Sequence, residues 1–423
     1  MKMWNCEVLE VFKSPHINQL CMNFLQLLPL VYNEKHISKV FTKKLMNNQR
    51  ITNLDFIRGV AVLGILVMNS IIFALPFSAY WNHPSSCTTE IFDWILIIVS
   101  EVFIAQKFMG LFSILFGASI VLFIESAMRR GSNRPKRLSL RRNILLLCFG
   151  ILHMSFLFKG DVLTIYAICA PIVIVLYKRN LILLTSLSVI FLLISVFSSF
   201  FFQGLFDPQG NLLPGAKEYF SDGLGLSAYW FAESEKMGDA IGSFFAIDAF
   251  SRALGLMLLG VVLYRTSVLQ GNLNSKIYIK MIFVGMLIGL PLSIFSISWL
   301  ILENYKPVIA LTGFIPSTLG IIPLTIAYIG ILSLLNRNLP DRICSYFRAC
   351  GKMAFTNYIA QSILGLIFFG LIFDKWDLGR NQIILFVFFV WFLQLWWSKY
   401  WLDHFNYGPL ELIWRKLTYI KTK

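Results

Sequence analysis

The chain has 423 residues, of which 57% are hydrophobic and 14% charged, with a net charge of +15 and a mean hydropathy of +0.69. Soluble domains carry about a quarter charged residues, so an ordinary soluble fold is excluded. The surplus Lys and Arg lie in short segments between apolar runs, the pattern of the positive-inside rule, which points to a lipid bilayer as partner and away from nucleic acid. Long apolar runs recur without strand-like alternation. In hydrocarbon every backbone polar group must be satisfied within its own segment, so the fold class is all-α, a polytopic transmembrane helical bundle.

In chain order, residues 1–45 contain "INQLCMNFLQLLPLVY", a stretch too short and too polar to span. No small-residue cleavage site follows it. Met46 precedes "NNQRITNLDF", so residues 1–45 are expected to be dispensable or a mis-assigned start, ahead of one transmembrane domain over 46–423. Ten spans are expected, at about 56–75, 104–124, 143–158, 161–177, 181–202, 244–264, 281–300, 308–334, 354–373 and 382–399. Arg129, Arg130, Arg134, Lys136, Arg137, Arg141 and Arg142 make the segment after the second span cytoplasmic. Alternation from it places both termini in the cytoplasm.

Residues 91–124 are too long for one crossing, so 91–103 reads as an interfacial or re-entrant helix before the second span. Residues 203–243 form an outer loop too long to be a mere connector. "GPLELIWRKL" reads as an interfacial helix over 409–419, with Pro409 in its first turn and Glu411 and Arg415 paired at i,i+4. Seven cysteines show no metal spacing; Cys148 and Cys169 fall inside spans and Cys87 alone outside, so a disulfide framework and a metal site are not expected.

The first span, "LDFIRGVAVLGILVMNS", carries three polar groups. Thr52 and Asp55 have capping-box spacing, and Asp55 and Arg58 are three apart and can pair. Asn69 follows Arg58 by eleven residues, three turns plus about 20°, so both share a face with Asn69 roughly 16 Å deeper. Gly59, Ala61 and Gly64 let neighbouring helices come close. A capped helix end, a snorkelling arginine and one interhelical hydrogen bond would also account for the three groups.

The chain has five histidines, two of them (His16 and His36) in the N-terminal segment and one, His404, after the last span. His153 lies in the third span. Reflecting the hairpin about Lys159–Gly160 puts it level with Tyr166, and Asp161 opens the fourth span at a helix N-terminus. A neutral imidazole there could accept a proton from an acceptor hydroxyl or amine, or merely bond two helices. His83, in "YWNHPSSC", is the second candidate base or an ordinary loop residue. Asp248 and Arg252 form an intramembrane i,i+4 pair, and Gln106 and Lys107 stand at the outer start of the second span. At the inner mouth, Asn357 and Gln361 share one face of the ninth span, beside Thr356, Lys352, Arg58, Arg141 and Arg142.

"LDFIRGVAVLGILVMN" resembles the opening signature of the YeiB family of bacterial inner-membrane proteins, which carry domain of unknown function 418. The resemblance continues in order through "KFMGLFSILFGASI", "RRNILLLCFGILHMSFLFKGDVLTIYA", "RALGLMLLGVVLYR", "GKMAFTNYIAQSILG" and "YGPLELIWRKLTY", covering essentially residues 50–420. It implies kinship with membrane acyltransferases that modify sugars and envelope polymers. Those enzymes often carry an Arg, ten intervening residues and a His in the first span; here Asn69 stands at the His position. Asparagine is no general base, so the base must come from elsewhere. The "LH" and "GD" of the hairpin match the family pattern and favour His153. The position of His83 resembles that of the reactive histidine in lysosomal heparan-glucosaminide acetyltransferases.

The resulting expectation is a membrane acyltransferase, without a metal. It would move an acyl group, such as acetyl, from a cytoplasmic donor such as acyl-CoA to an extracytoplasmic sugar, lipid or envelope acceptor. The donor would bind through Asp55, Arg58, Thr356, Asn357 and Gln361, with its phosphates near the basic inner mouth. His153 would be base or acyl carrier, oriented by Asp161 or Tyr166, with Asn69 or Arg252 stabilising the oxyanion. A proton-coupled transporter or flippase, and a non-catalytic membrane partner docking through the outer loop, are the alternatives.

Overall fold

The computed structural model describes residues 51–86, 90–220, 224–233, 236–372 and 378–420. The segment 1–45, Met46 and Cys87 lie outside the described residues. The described chain is a bundle of helices: α1 (Thr52–Ala74), α2 (Ile91–Phe103), α3 (Lys107–Arg129), α4 (Pro135–Phe156), α5 (Leu163–Leu176), α6 (Leu181–Gln203), α7 (Asp239–Arg265), α8 (Ser275–Leu302), α9 (Ile315–Asn338), α10 (Asp341–Lys352), α11 (Ala354–Ile367), α12 (Arg380–His404) and α13 (Pro409–Tyr419). Among the described residues the extended pairing is one isolated bridge, Phe206 with Leu212.

Eight segments are long and apolar enough to cross a membrane. The expected third and fourth spans make the difference from ten. They fall on the α4–α5 hairpin, in which α4 begins in basic residues and α5 has only 14 residues. At 1.5 Å per residue α5 is about 21 Å long, short of a roughly 30 Å hydrocarbon core. The 39 residues of Ile91–Arg129 do not form one rod. The chain breaks at Gln106, whose φ of 62° is left-handed, so α2 and α3 are separate helices. Ile91, Phe92, Ile95, Ile98, Val99 and Phe103 give α2 an exposed apolar flank, as a lipid-facing helix requires.

Helix α1 runs through the middle, packed against α3, α9, α10, α11 and α12, while α7 packs against α3, α5 and α6. Both owe their central place to small residues. A Cβ on Gly351 of α10 would overlap the Asp55 carbonyl, and one on Gly59 of α1 would overlap the Phe347 carbonyl. The backbones of α1 and α10 therefore touch, and van der Waals packing replaces the hydrophobic drive that lipid removes.

The basic helix ends gather on one face. Arg265 donates to the Arg179 carbonyl at 2.5 Å, Arg130 to the Tyr419 hydroxyl at 2.9 Å, and Arg337 to Ser275 Oγ at 3.4 Å. On the opposite face the expected 203–243 loop is shorter, since α6 runs to Gln203 and α7 starts at Asp239, and parts of its described residues turn inward. Leu226, Tyr229 and Trp230 are buried, Trp230 Nε1 donates to the Tyr305 carbonyl at 2.7 Å, and Asn82 Nδ2 to the Trp230 carbonyl at 2.8 Å.

The α1–α10 contact has a direct test. Gly351→Ala should lower the unfolding temperature of the detergent-solubilised protein by the equivalent of about 1–3 kcal/mol, although alanine is the better helix former. Gly215→Ala, whose methyl meets open space, should leave it unchanged; equal effects would contradict the packing.

Candidate functional site

A cavity of about 1020 Å³ opens on the basic face between α1, α3, α4, α11 and α13. Its wall carries Arg58, Arg129, Arg130, Arg142, Lys352 and Arg415 against the acids Asp55 and Glu411. Arg58 is held in place twice, by Asp55 Oδ1 at 3.2 Å and by Ser119 Oγ at 2.9 Å. The capping box expected of Thr52 and Asp55 does not form: Ile51 is the N-cap, without a side-chain cap.

Aromatic rings orient two of the other cations. The Arg142 guanidinium lies between Phe123 and Trp414, 4.6 and 4.1 Å from their centroids. Arg415 lies over Tyr407 and Tyr419 at 4.8 and 5.4 Å. Guanidinium groups preorganised on rings offer planar donor forks to phosphate or carboxylate.

Helix α13 forms where expected, but Glu411 has a different partner from the one its spacing suggested. Its carboxylate accepts from the Phe355 and Thr356 backbone N–H groups at 2.9 and 3.1 Å, and from Thr356 Oγ1 at 2.5 Å. It thus caps α11. Unsatisfied helix-start N–H groups at a partly buried site outbid an exposed cation one turn away. Thr356 in turn accepts from Leu410 N at 3.1 Å, and Trp414 Nε1 donates to the Arg142 carbonyl at 2.8 Å. The C-terminal helix is therefore part of the cavity wall.

Asn357 and Gln361 are fully buried and turned away from the cavity toward α12 and α1. Asn357 Nδ2 donates to Ser398 Oγ at 2.9 Å, and its Oδ1 accepts from Trp397 Nε1 at 2.7 Å. Gln361 Nε2 donates to Gln394 Oε1 and to the Val62 carbonyl, both at 3.0 Å. Asn69 is half-buried on α1 and is not among the residues lining the cavity.

Leu146, Leu163 and Tyr358 form part of the cavity wall, and His153 lies behind Tyr358. His153 and Asp161 are 2% and 5% exposed, with Nδ1 2.8 Å from Asp161 Oδ1. The other carboxylate oxygen accepts from Thr164 N and Thr164 Oγ1, both at 2.8 Å, anchoring Asp161 on the start of α5. Gly150 permits this, since a Cβ there would press on Thr164. His153 Nε2 is 2.8 Å from Ser362 Oγ on α11. The Tyr358 ring is 5.2 Å from the imidazole, and its hydroxyl is 3.5 Å from Asp161 Oδ1.

Tyr166, expected beside His153, faces α3, with its hydroxyl 2.8 Å from Ser113 Oγ and its ring stacked 5.2 Å from Phe116. The hairpin reflection matched depth but not azimuth. Asp161 precedes Leu163, the first helical residue of α5, so helical periodicity does not carry Tyr166 to its side. Tyr358 and Ser362, from a distant segment, occupy the place instead. The signal was present in "TNYIAQSILG": one polar stripe, Asn357 and Gln361, lies beside a second, Tyr358 and Ser362.

The opposite face holds a second polar network. His83 is 1% exposed, with Nδ1 2.9 Å from the Tyr305 hydroxyl and Nε2 3.1 Å from Glu101 Oε1. Burial pushes the Tyr305 hydroxyl pKa upward, with the Glu101 charge acting in the same sense, and the phenol stays neutral. Buried Lys107 donates to Ser317 Oγ at 3.1 Å and to the Glu101 carbonyl. Asp248 pairs with Arg252 and accepts from Ser195 Oγ at 2.5 Å, while Arg252 reaches Gln106 Oε1 at 3.1 Å. Cavities beside this network are about 20 and 10 Å³, the scale of a single water.

Burial raises the Glu411 carboxyl pKa above its ordinary value, against the pull of the Thr356 hydroxyl and backbone bonds. A raised folded-state pKa contributes stability below the unfolded value and loses it as pH rises through the folded one. The unfolding temperature of Glu411→Gln relative to wild type should therefore climb as pH rises from the ordinary glutamate value; a pH-independent difference would contradict the assignment.

Residues 263–421 match the family described as "Protein of unknown function (DUF418)". The chain is 28% identical over 396 residues to "Uncharacterized protein YeiB" of Escherichia coli (strain K12), covering 88% of this chain and 96% of that protein. It is 29% identical over 382 residues to "Uncharacterized 39.9 kDa protein in amylase 3'region" of Bacillus acidopullulyticus, covering 88% and 94%. "Uncharacterized protein YxaH" of Bacillus subtilis (strain 168) is 27% identical over 417 residues, covering 89% and 96%. The C-terminal part of this multi-pass helical membrane protein, residues 263–421, thus matches the DUF418 family, and its similarity to YeiB runs nearly end to end.

Proposed function

We propose that the protein is an acyltransferase of the bacterial inner membrane, with both termini and the basic face in the cytoplasm. Its donor is an acyl-CoA, and its acceptor an extracytoplasmic sugar, lipid or envelope hydroxyl. The observation that carries this reading is the cavity itself. A cationic, ring-lined cavity suited to phosphates has Tyr358 in its wall, and the Tyr358 ring lies 5.2 Å from the imidazole of the buried His153–Asp161 pair.

Each part has a chemical task. Arg142 and Arg415, fixed on aromatic faces, and Arg58, fixed by Asp55 and Ser119, take the donor's phosphates. An ionised Asp161 holds the proton on His153 Nδ1, so that Nε2, 2.8 Å from Ser362 Oγ, is the nitrogen that accepts one as general base. The apolar surroundings exclude water, which would otherwise compete for the acyl group. The Asp248–Arg252 and His83–Glu101 groups lie toward the acceptor side in this reading.

Radiolabelled acetyl-CoA supplied to inverted vesicles tests it. Label should appear on a lumenal lipid or glycan, and His153→Ala should slow its appearance by about 10²–10⁴-fold. Transfer by His153→Ala at the wild-type rate would remove that residue from the chemistry. Solute uptake without covalent label would replace the transferase with a transporter.

A further inference from the structure

The His153–Asp161 pair has a third member, Ser362. It is 1% exposed and lies one turn beyond Tyr358 on α11, with Oγ 2.8 Å from His153 Nε2. Asp161 Oδ1 is 2.8 Å from Nδ1, and an ionised carboxylate can only accept, so Nδ1 carries the imidazole proton. Nε2 is then the acceptor and the Ser362 hydroxyl the donor. Serines elsewhere in the bundle, such as Ser113 and Ser119, give their hydroxyl proton to the carbonyl four residues back. Ser362 gives it to a histidine whose tautomer is fixed from behind. Nucleophile, base and orienting carboxylate stand in the relation that activates a serine hydroxyl.

We propose that Ser362 is the acyl-carrying nucleophile of this centre, so that transfer proceeds through a serine ester rather than directly from donor to acceptor. The identity of the donor rests on the acyl-CoA reading above; the nucleophile does not. In the first step Ser362 Oγ attacks the thioester carbonyl carbon and its proton passes to His153 Nε2. The C–S bond breaks and the departing sulfur takes that proton, leaving as the free thiol. In the second step an acceptor hydroxyl attacks the ester carbonyl and its proton goes to His153 Nε2. The bond to Ser362 Oγ breaks, and Oγ recovers the proton. Asp161 acts as a positioning residue throughout. Tyr358, between cavity and imidazole, is the side chain the acyl group must pass.

The test uses the full-length protein in detergent, treated in parallel with an alkyl fluorophosphonate and with radiolabelled acetyl-CoA, followed by peptide mass spectrometry. The fluorophosphonate should modify Ser362. Labelling should be absent in Ser362→Ala and slower by about 10²-fold or more in His153→Gln, both checked for a wild-type unfolding temperature. An acetyl ester on Ser362 supports both nucleophile and donor. Fluorophosphonate labelling of Ser362 without an acetyl ester keeps the nucleophile and overturns the acetyl-CoA donor. Wild-type protein that transfers acetyl groups while Ser362 stays unmodified by either reagent overturns the serine ester and leaves the transferase standing.

Discussion

A polar group carried into hydrocarbon must find its partner inside the protein, and that constraint organises this bundle. The interior carboxylates illustrate it: Asp161 meets His153 and Thr164, Asp248 meets Arg252 and Ser195, and Glu101 meets His83. Because an uncompensated charge in such a place costs several kcal/mol, these residues fix which helices are neighbours. Glycine contacts such as Gly351 on Asp55 then bring the backbones close enough for the polar pairs to form.

The two faces answer the constraint differently. On the face opposite the basic one, groups close on each other, from His83 through Glu101 and Lys107 to Ser317, beside cavities of about 20 and 10 Å³. On the basic face the cations outnumber the nearby acids, rings rather than carboxylates hold Arg142 and Arg415, and a large cavity stays open. Cations held on rings keep most of their charge available to an incoming anion. The α13 helix, docked through Glu411 and Trp414, completes that wall.

Hydropathy and basic segments made the fold class legible, because a bilayer leaves helices as the one option for long apolar runs. The hairpin was legible in outline: Asp161 meets His153 because both flank one tight turn. What periodicity left open was azimuth between separate helices, which is why Tyr166 was expected where Tyr358 stands. The Asn357–Gln361 face was legible as polar, but its partners Ser398 and Gln394 lie more than thirty residues away. Spacing alone does not distinguish a stripe that binds a ligand from one that binds a helix. Glu411 followed a local rule toward Arg415 until a distant helix start offered stronger donors.

The central claim is that the basic cavity delivers an acyl group to the His153 centre. An acyl-CoA with a photoreactive diazirine at the end of its acyl chain tests this most directly. Irradiation of the bound complex should place the cross-link on α11 or α4, close to Tyr358 and His153, and free CoA should compete it away. Cross-links confined to the outer flank of α2, or insensitive to CoA, would contradict the account.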